Sequence, residues 1–224
     1  MFEIRRLSWA GRFYFWLANH LYHEFAWTYD LVSWLVSFGR WSGWRRNALD
    51  HVCGRRILEI GYGTGELLLE SAVRGLSIIG IDPSCSMQRI AKRKLQKRGL
   101  SSRLVRGKSQ AVPFADNSFD TILSTFPAEF MFDIHTLKEV TRLLVSPNQA
   151  NGFEGGRMVI VGLAVYDRSS AESTLLDRLL GVDRRRVQVA FMQLVREAGL
   201  KVEIVYPKDE RNALPVVILT HVKE

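Results

Sequence analysis

The chain is poor in cysteine, has no tryptophan beyond Trp44, and holds no apolar run of membrane-spanning length. Two cysteines, Cys53 and Cys85, exclude a disulfide framework. They also lack metal-ligand spacing, so no metal is expected, and both read as buried thiols of a reducing cytoplasm. The longest uncharged stretches near the start, Phe13 to His23 and Leu31 to Gly39, fall short of the roughly 18–20 apolar residues that a spanning helix needs. No secretory signal pattern, internal repeat or low-complexity tract is visible.

Acidic residues are missing from one long segment. Pro83–Ala115 contains nine Lys or Arg and no Asp or Glu, in a chain of net charge +8. A solvated helix face accounts for such a run without any partner. Anionic lipid headgroups, at about 1 kcal/mol per charge near the surface, or RNA are the functional alternatives. In size, 224 residues with 47% hydrophobic content suit one α/β domain plus an appendage.

What is present divides near residue 46. All six tryptophans precede it. Phe13, Trp16, Leu17, His20 and Leu21 share one helical stripe, as do Trp27, Leu31, Trp34, Leu35 and Phe38. Residues 1–46 therefore read as two or three amphipathic helices, and 47–224 as the main domain. From His51 on, apolar runs alternate with helical patterns. Strands are expected at Arg56–Ile60, Leu76–Ile81, Arg103–Val105, Thr121–Ser124 and Arg157–Leu163. Helices are expected at Glu66–Val73, Ser84–Arg98, Ile134–Leu144 and Arg186–Ala198. Two closing strands, Lys201–Tyr206 and Pro215–Thr220, are joined by a loop too short for a crossover helix, so they should be antiparallel. The alternation predicts a doubly wound α/β fold with helices on both faces.

The first strand runs into Gly61-Tyr62-Gly63-Thr64-Gly65. Glycine there permits positive φ and lets backbone approach a ligand. The G-x-G-x-G spacing differs from the dinucleotide G-x-G-x-x-G, which suits a ligand without a pyrophosphate. Asp82 ends the second strand, where a carboxylate can accept both hydroxyls of a ribose. Taken alone it could as well cap the next helix, with Pro83 as first helical residue, but its spacing behind the glycine loop favours the ribose.

These residues carry a resemblance. Ile57–Gly65 resembles motif I of the class I S-adenosylmethionine-dependent methyltransferases, and Asp82 stands where that family has its ribose-binding acid. Gln110–Asp120 is similar to the family's "LPF-DNSFD" segment, and Glu139–Leu144 with Gly155–Ile160 to its "E-x-x-R-V-L-K-P-G-G-x-L" element. The resemblance implies a Rossmann-like sheet of seven strands, the last antiparallel, with S-adenosylmethionine as cofactor and S-adenosylhomocysteine as product. Glu59, Gly61, Tyr62, Gly63, Thr64 and Gly65 would hold the methionine portion, and Asp82 the ribose. Pro83, Ser84 and Met87 would flank the adenine, with Ser109 and Gln110 along its edge. Ser124, Thr125 and Phe126 would face the reacting methyl. Two departures stand out. Lys108 occupies the place of an acid that accepts the adenine amino proton, and Val145–Glu154 is longer than the family's turn.

For the acceptor, the stretch from Phe25 to Arg45 is similar to the "Y-D-x-x-x-x-x-x-S-x-G-x-x-x-x-W-R" opening of the ubiquinone/menaquinone-biosynthesis C-methyltransferases, and to their relatives the bacterial phospholipid N-methyltransferases. The implied substrate is small and apolar or lipid-like, a quinone precursor or phospholipid headgroup. The implied setting is cytoplasmic, with contact at the inner face of an anionic membrane. By that resemblance residues 1–46 would form an aromatic helical lid and acceptor cap over an S-adenosylmethionine-binding domain of residues 47–224, with Tyr29 over cofactor and acceptor. The wider set of proton acceptors is His20, His23, Asp30, Glu129, Asp133 and His135, with Tyr29 and His135 taken as catalytic. Thr125–Phe130 lacks the Asn/Asp-Pro-Pro-Tyr/Phe signature of nucleobase amine methylation, which counts against a nucleic-acid substrate. An RNA or protein methyltransferase, or a non-catalytic cofactor-binding adaptor, are the alternatives.

Overall fold

The computed structural model describes residues 41–100, 103–148, 154–163, 183–206 and 214–222. The proposed lid therefore lies almost wholly outside the described residues, and with it His20, His23, Tyr29 and Asp30. Helix α1, Trp41–Leu49, runs across residue 46.

Strand β1 spans Ile57–Ile60, β2 Ile78–Asp82, β3 Arg103–Arg106, β4 Thr121–Thr125 and β5 Arg157–Val161. Strands β6, Leu200–Val205, and β7, Val216–His221, close the chain. They form one seven-stranded sheet of order β3-β2-β1-β4-β5-β7-β6. The first five strands pair in parallel, while β7 inserts antiparallel between β5 and β6. This is the Rossmann-like methyltransferase sheet with its reversed last strand.

Side-chain alternation sends the two faces to two cores. Leu58, Ile60, Ile122 and Met158 pack with Leu137 and Val140 of α4 (Ile134–Leu143) and Phe191 and Val195 of α5 (Arg184–Glu197). Ile57, Ile78, Leu123 and Val159 pack with Ala48 of α1, Leu67 and Leu68 of α2 (Glu66–Val73) and Ala91 of α3 (Cys85–Lys97). Being buried on both faces, the central strands read as near-continuous apolar runs, so their positions were legible.

The structure removes one alternative reading of Asp82 and corrects the placing of Pro83 and of the cysteines. Helix α3 is capped by Ser84, whose Oγ accepts the Met87 N–H at 3.3 Å, so Asp82 is not its cap. Pro83 lies ahead of that cap and stays exposed. Cys53 and Cys85 are half-buried rather than buried. Cys53 lies in the loop entering β1, where its Sγ donates to the Asp120 carbonyl at 3.3 Å, and Cys85 opens α3.

The family-like Glu139 and Arg142 form a structural clamp. Glu139 accepts the Val112 N–H at 2.9 Å, and Arg142 donates to the carbonyls of Val112 and Phe114 at 3.1 and 2.8 Å. The two also pair with each other at 2.8 Å, which holds the Glu139 carboxyl below its usual range. The clamp fixes the path of 112–116 toward β4.

Candidate active site

The chain direction splits between β1 and β4, and ligands of open α/β sheets sit in the crevice beyond the carboxyl ends of such strands. The glycine loop stands at that point. Gly61, at φ +76°, donates its N–H to the Ile81 carbonyl at 2.8 Å, which pins the loop against the end of β2. The three glycines then differ. A methyl group added at Gly65 would lie 2.7 Å from Ala91 Cβ, so this residue lets α2 start directly against α3. A methyl group at Gly63 would meet nothing within 4 Å. Gly63 is the position whose missing side chain leaves open space.

Asp82, fully buried, faces this loop. Its Oδ2 accepts the Gly63 N–H at 3.0 Å and its Oδ1 the Ser84 N–H at 2.8 Å. Two backbone donors thus fix the carboxylate in orientation. An ionised carboxylate has about four acceptor positions, so this hold is compatible with further donors.

Glu59 is the one charged residue of β1 and is buried on the α1–α3 face. Its Oε2 has no hydrogen-bond partner among the described residues. Burial pushes its carboxyl up to about 8; the Arg45 guanidinium draws it back, and Asp82 adds to the rise. A buried carboxyl with an unbonded oxygen suits a cationic ligand. The ammonium and sulfonium of S-adenosylmethionine are of that kind, and the open space at Gly63 would admit them. The residues present fit the cofactor.

Other expected residues fall in distinct places. Tyr62 turns inward, and its ring packs so tightly on Gly80 that a Cβ there would sit 2.7 Å from it. Its buried hydroxyl has no partner among the described residues, and burial, then Asp82 and Glu59, raises its pKa. Thr64 and Met87 are buried. Ser124 donates to the Ile60 carbonyl at 2.9 Å, tying β4 to β1. Thr125 and Phe126 stand at the carboxyl end of β4, half-buried. Phe126 adopts φ +50°, uncommon for a bulky residue, with its N–H donated to the Val161 carbonyl at 2.7 Å. Its ring lies 6.1 Å from that of Trp44, so α1 reaches the site edge.

Past β3, Gly107 donates to the Asp82 carbonyl at 3.2 Å, setting 107–110 beside the same crevice. Ser109 bonds Thr136 at 2.9 Å, and Gln110 donates to Asp133 at 3.1 Å. Lys108 is exposed, as is His135 at the start of α4. Sequence reasoning did not single out Arg45 for its pull on Glu59, nor Asp133 as the partner of Gln110. The Trp44-Arg45 pair was part of the quoted resemblance and was the available signal for the first. Among the described residues, no group of His, Cys, Asp and Glu could hold a metal, and no helix is long and apolar enough to cross a membrane.

Comparison with known proteins agrees with this geometry. Residues 57–146 match the family model described as a methyltransferase domain. A demethylmenaquinone methyltransferase of Thermus thermophilus is 34% identical over 147 residues, covering 63% of this chain and 63% of that one. The ubiquinone/menaquinone biosynthesis C-methyltransferase UbiE of Geotalea uraniireducens is 34% identical over 131 residues, covering 54% and 56%. The match thus spans less than two thirds of those relatives' length. Among solved structures, a protein of Methanococcus maripaludis assigned as an S-adenosyl-L-methionine-dependent methyltransferase superposes with TM-score 0.64 at 20% identity, over 89% of this chain and 93% of that one. A SAM-dependent methyltransferase from Aquifex aeolicus gives 0.55 at 17%, over 80% and 89%.

Residues 57–146 thus match a methyltransferase domain, and the sheet around them has the Rossmann-like methyltransferase order. The chain's sequence similarity runs to enzymes named for methylation in menaquinone and ubiquinone biosynthesis.

Proposed function

We propose that this chain transfers a methyl group from S-adenosylmethionine to a small apolar or lipid-like acceptor, of the kind named for its quinone-biosynthesis relatives. The observation that carries the reading is the buried Glu59 carboxyl, whose Oε2 has no hydrogen-bond partner among the described residues, beside a loop that is open at Gly63 and braced by Asp82. The cofactor supplies an electrophilic methyl on a sulfonium. Glu59 holds the ammonium, and Asp82, fixed by two N–H donors, accepts the ribose hydroxyls. Pro83, Ser84, Met87, Ser109 and Gln110 border the adenine.

Methyl transfer is an in-line displacement, so the protein's work is to set the nucleophile at about 3–3.5 Å from the methyl and exclude water. Thr125, Phe126 and Trp44 form the apolar edge suited to this. A carbon acid or phenol must also lose a proton to a nearby base. Tyr29 and His135 are the proposed groups for that step, acting together with the aromatic segment 1–46. Labelled methyl transfer from the cofactor into quinone, lipid and RNA fractions tests the reading. Label in the quinone or lipid fraction is expected, and label confined to RNA or absent would overturn it.

The exposed basic residues Arg89, Lys92, Arg93, Lys97, Arg98, Arg103, Arg106 and Lys108 support an anionic membrane surface as partner, with the chain cytoplasmic and peripheral. The same face is what favours RNA as the second reading.

A further inference from the structure

The loop after β3 contains a lysine where the related pattern has an acid, yet the polar side chains around it are tied into one chain. Asp133 caps α4: its Oδ1 accepts the His135 N–H at 2.9 Å. Its Oδ2 accepts Gln110 Nε2 at 3.1 Å. Gln110 Oε1 receives the Ser109 hydroxyl at 3.3 Å, and Ser109 bonds the buried Thr136 hydroxyl at 2.9 Å. Burial of Asp133 works against ionisation, but the His135 N–H and the Gln110 amide outweigh it and keep the carboxyl below its usual range. An ionised carboxylate can only accept, so the Gln110 amide must turn its NH2 toward Asp133 and its carbonyl oxygen away. The orientation of an amide that could otherwise flip is thereby fixed.

We propose that Gln110, held in one flip state by Asp133, presents Oε1 as the acceptor for the exocyclic amino group of the cofactor's adenine, which makes Asp133 a positioning residue for nucleobase selection. This rests on the methyltransferase reading above. An adenine amino group donates; the keto oxygen of hypoxanthine at the same ring position accepts and would face another acceptor. Lys108 is exposed, and its ammonium, which has only donors, cannot accept from the adenine amino group.

The substitution Asp133→Asn separates this from a structural role. Asparagine caps helices as well as aspartate does, so α4 should keep its start. With the Asn carbonyl taken by the His135 N–H, its NH2 faces Gln110, whose amide must then flip and offer a donor instead. The Ser109 hydroxyl can accept from the turned amide while donating to Thr136.

Calorimetry with S-adenosylhomocysteine and its deaminated analogue S-inosylhomocysteine provides the test. The unaltered chain should prefer the adenine compound by about tenfold or more. Asp133→Asn should erase or invert that preference. Gln110→Ala should bring the ratio near one while leaving measurable binding, and thermal melts of both variants report folding. An unchanged ratio in either folded variant, or no preference in the unaltered chain, overturns the proposal while the methyltransferase reading stands. Binding of neither compound by the unaltered chain overturns both.

Discussion

Gly63 and Gly65 both hold positive φ, at +51° and +79°, yet substituting each should fail in its own way. At Gly65 an alanine Cβ meets Ala91 at 2.7 Å, in the packing of α2 on α3. The steric clash and the left-handed backbone together should cost about 2–4 kcal/mol of stability. At Gly63 the same methyl meets open space. Gly63→Ala should lose only about 1–2 kcal/mol of stability while weakening S-adenosylhomocysteine binding more than tenfold. Urea denaturation beside calorimetry separates the two effects, and equal binding loss at both positions would contradict the assignment of Gly63 to the ligand.

Glu59 carries a pH signature. Its folded carboxyl is raised from 4.5 to about 8, so the folded state holds a proton that the unfolded chain releases. Stability from this group is therefore complete below 4.5 and lost as pH rises through about 8. Glu59→Gln removes that loss and should raise the melting temperature of the ligand-free protein above pH 8. The same variant should bind S-adenosylmethionine more weakly. With Glu59 intact, binding of the cationic cofactor at neutral pH should release a proton, seen as a calorimetric heat that depends on the buffer's ionisation enthalpy. A buffer-independent heat would count against the ammonium contact.

At the scale of elements, the Glu139–Arg142 pair decides whether the stretch before β4 is held. Arg142→Ala leaves the Val112 and Phe114 carbonyls without their donor and Glu139 without its partner. A loss of about 1–3 kcal/mol is expected. Because residues 112–116 continue from Gln110, cofactor affinity should fall with it; stability loss without any affinity loss would separate the two segments. The elements themselves were largely legible in the sequence, since parallel strands buried on both faces appear as apolar runs. Several side-chain directions were not. Which of Asp82 and Ser84 caps α3 depends on where the glycine loop sends its N–H groups, a contact between residues 63 and 82. Tyr62 turns inward because Gly80 leaves room for its ring on a neighbouring strand. The link from Gln110 to Asp133 joins two separate loops, and no local pattern announces it.

For the whole molecule, the charge asymmetry runs from α3 through β3 to the edge of the site. The basic residues of α3 and the edge strand β3 are solvent-exposed, apart from Lys94, which pairs with Glu66 at 2.6 Å. Flotation with anionic and neutral vesicles should show binding to the anionic ones only, weakening steeply with salt. Equal binding to both would place any membrane contact elsewhere. The composition break near residue 46 marked where the tryptophans stop, whereas α1 continues through it to bring Trp44 against Phe126 and Arg45 toward Glu59. Composition records residue types, and a helix boundary is set by hydrogen bonding and packing, so the two need not coincide.

The central claim is that the backbone at Gly63 and the carboxylates of Asp82 and Glu59 bind a sulfonium nucleoside. Titration calorimetry of the purified chain with S-adenosylmethionine and S-adenosylhomocysteine tests it most directly, with Asp82→Ala as the comparison. One site is expected for each ligand, with affinity falling by a factor of ten or more in the variant. Absence of binding to both ligands, or equal affinity in Asp82→Ala, would contradict the account.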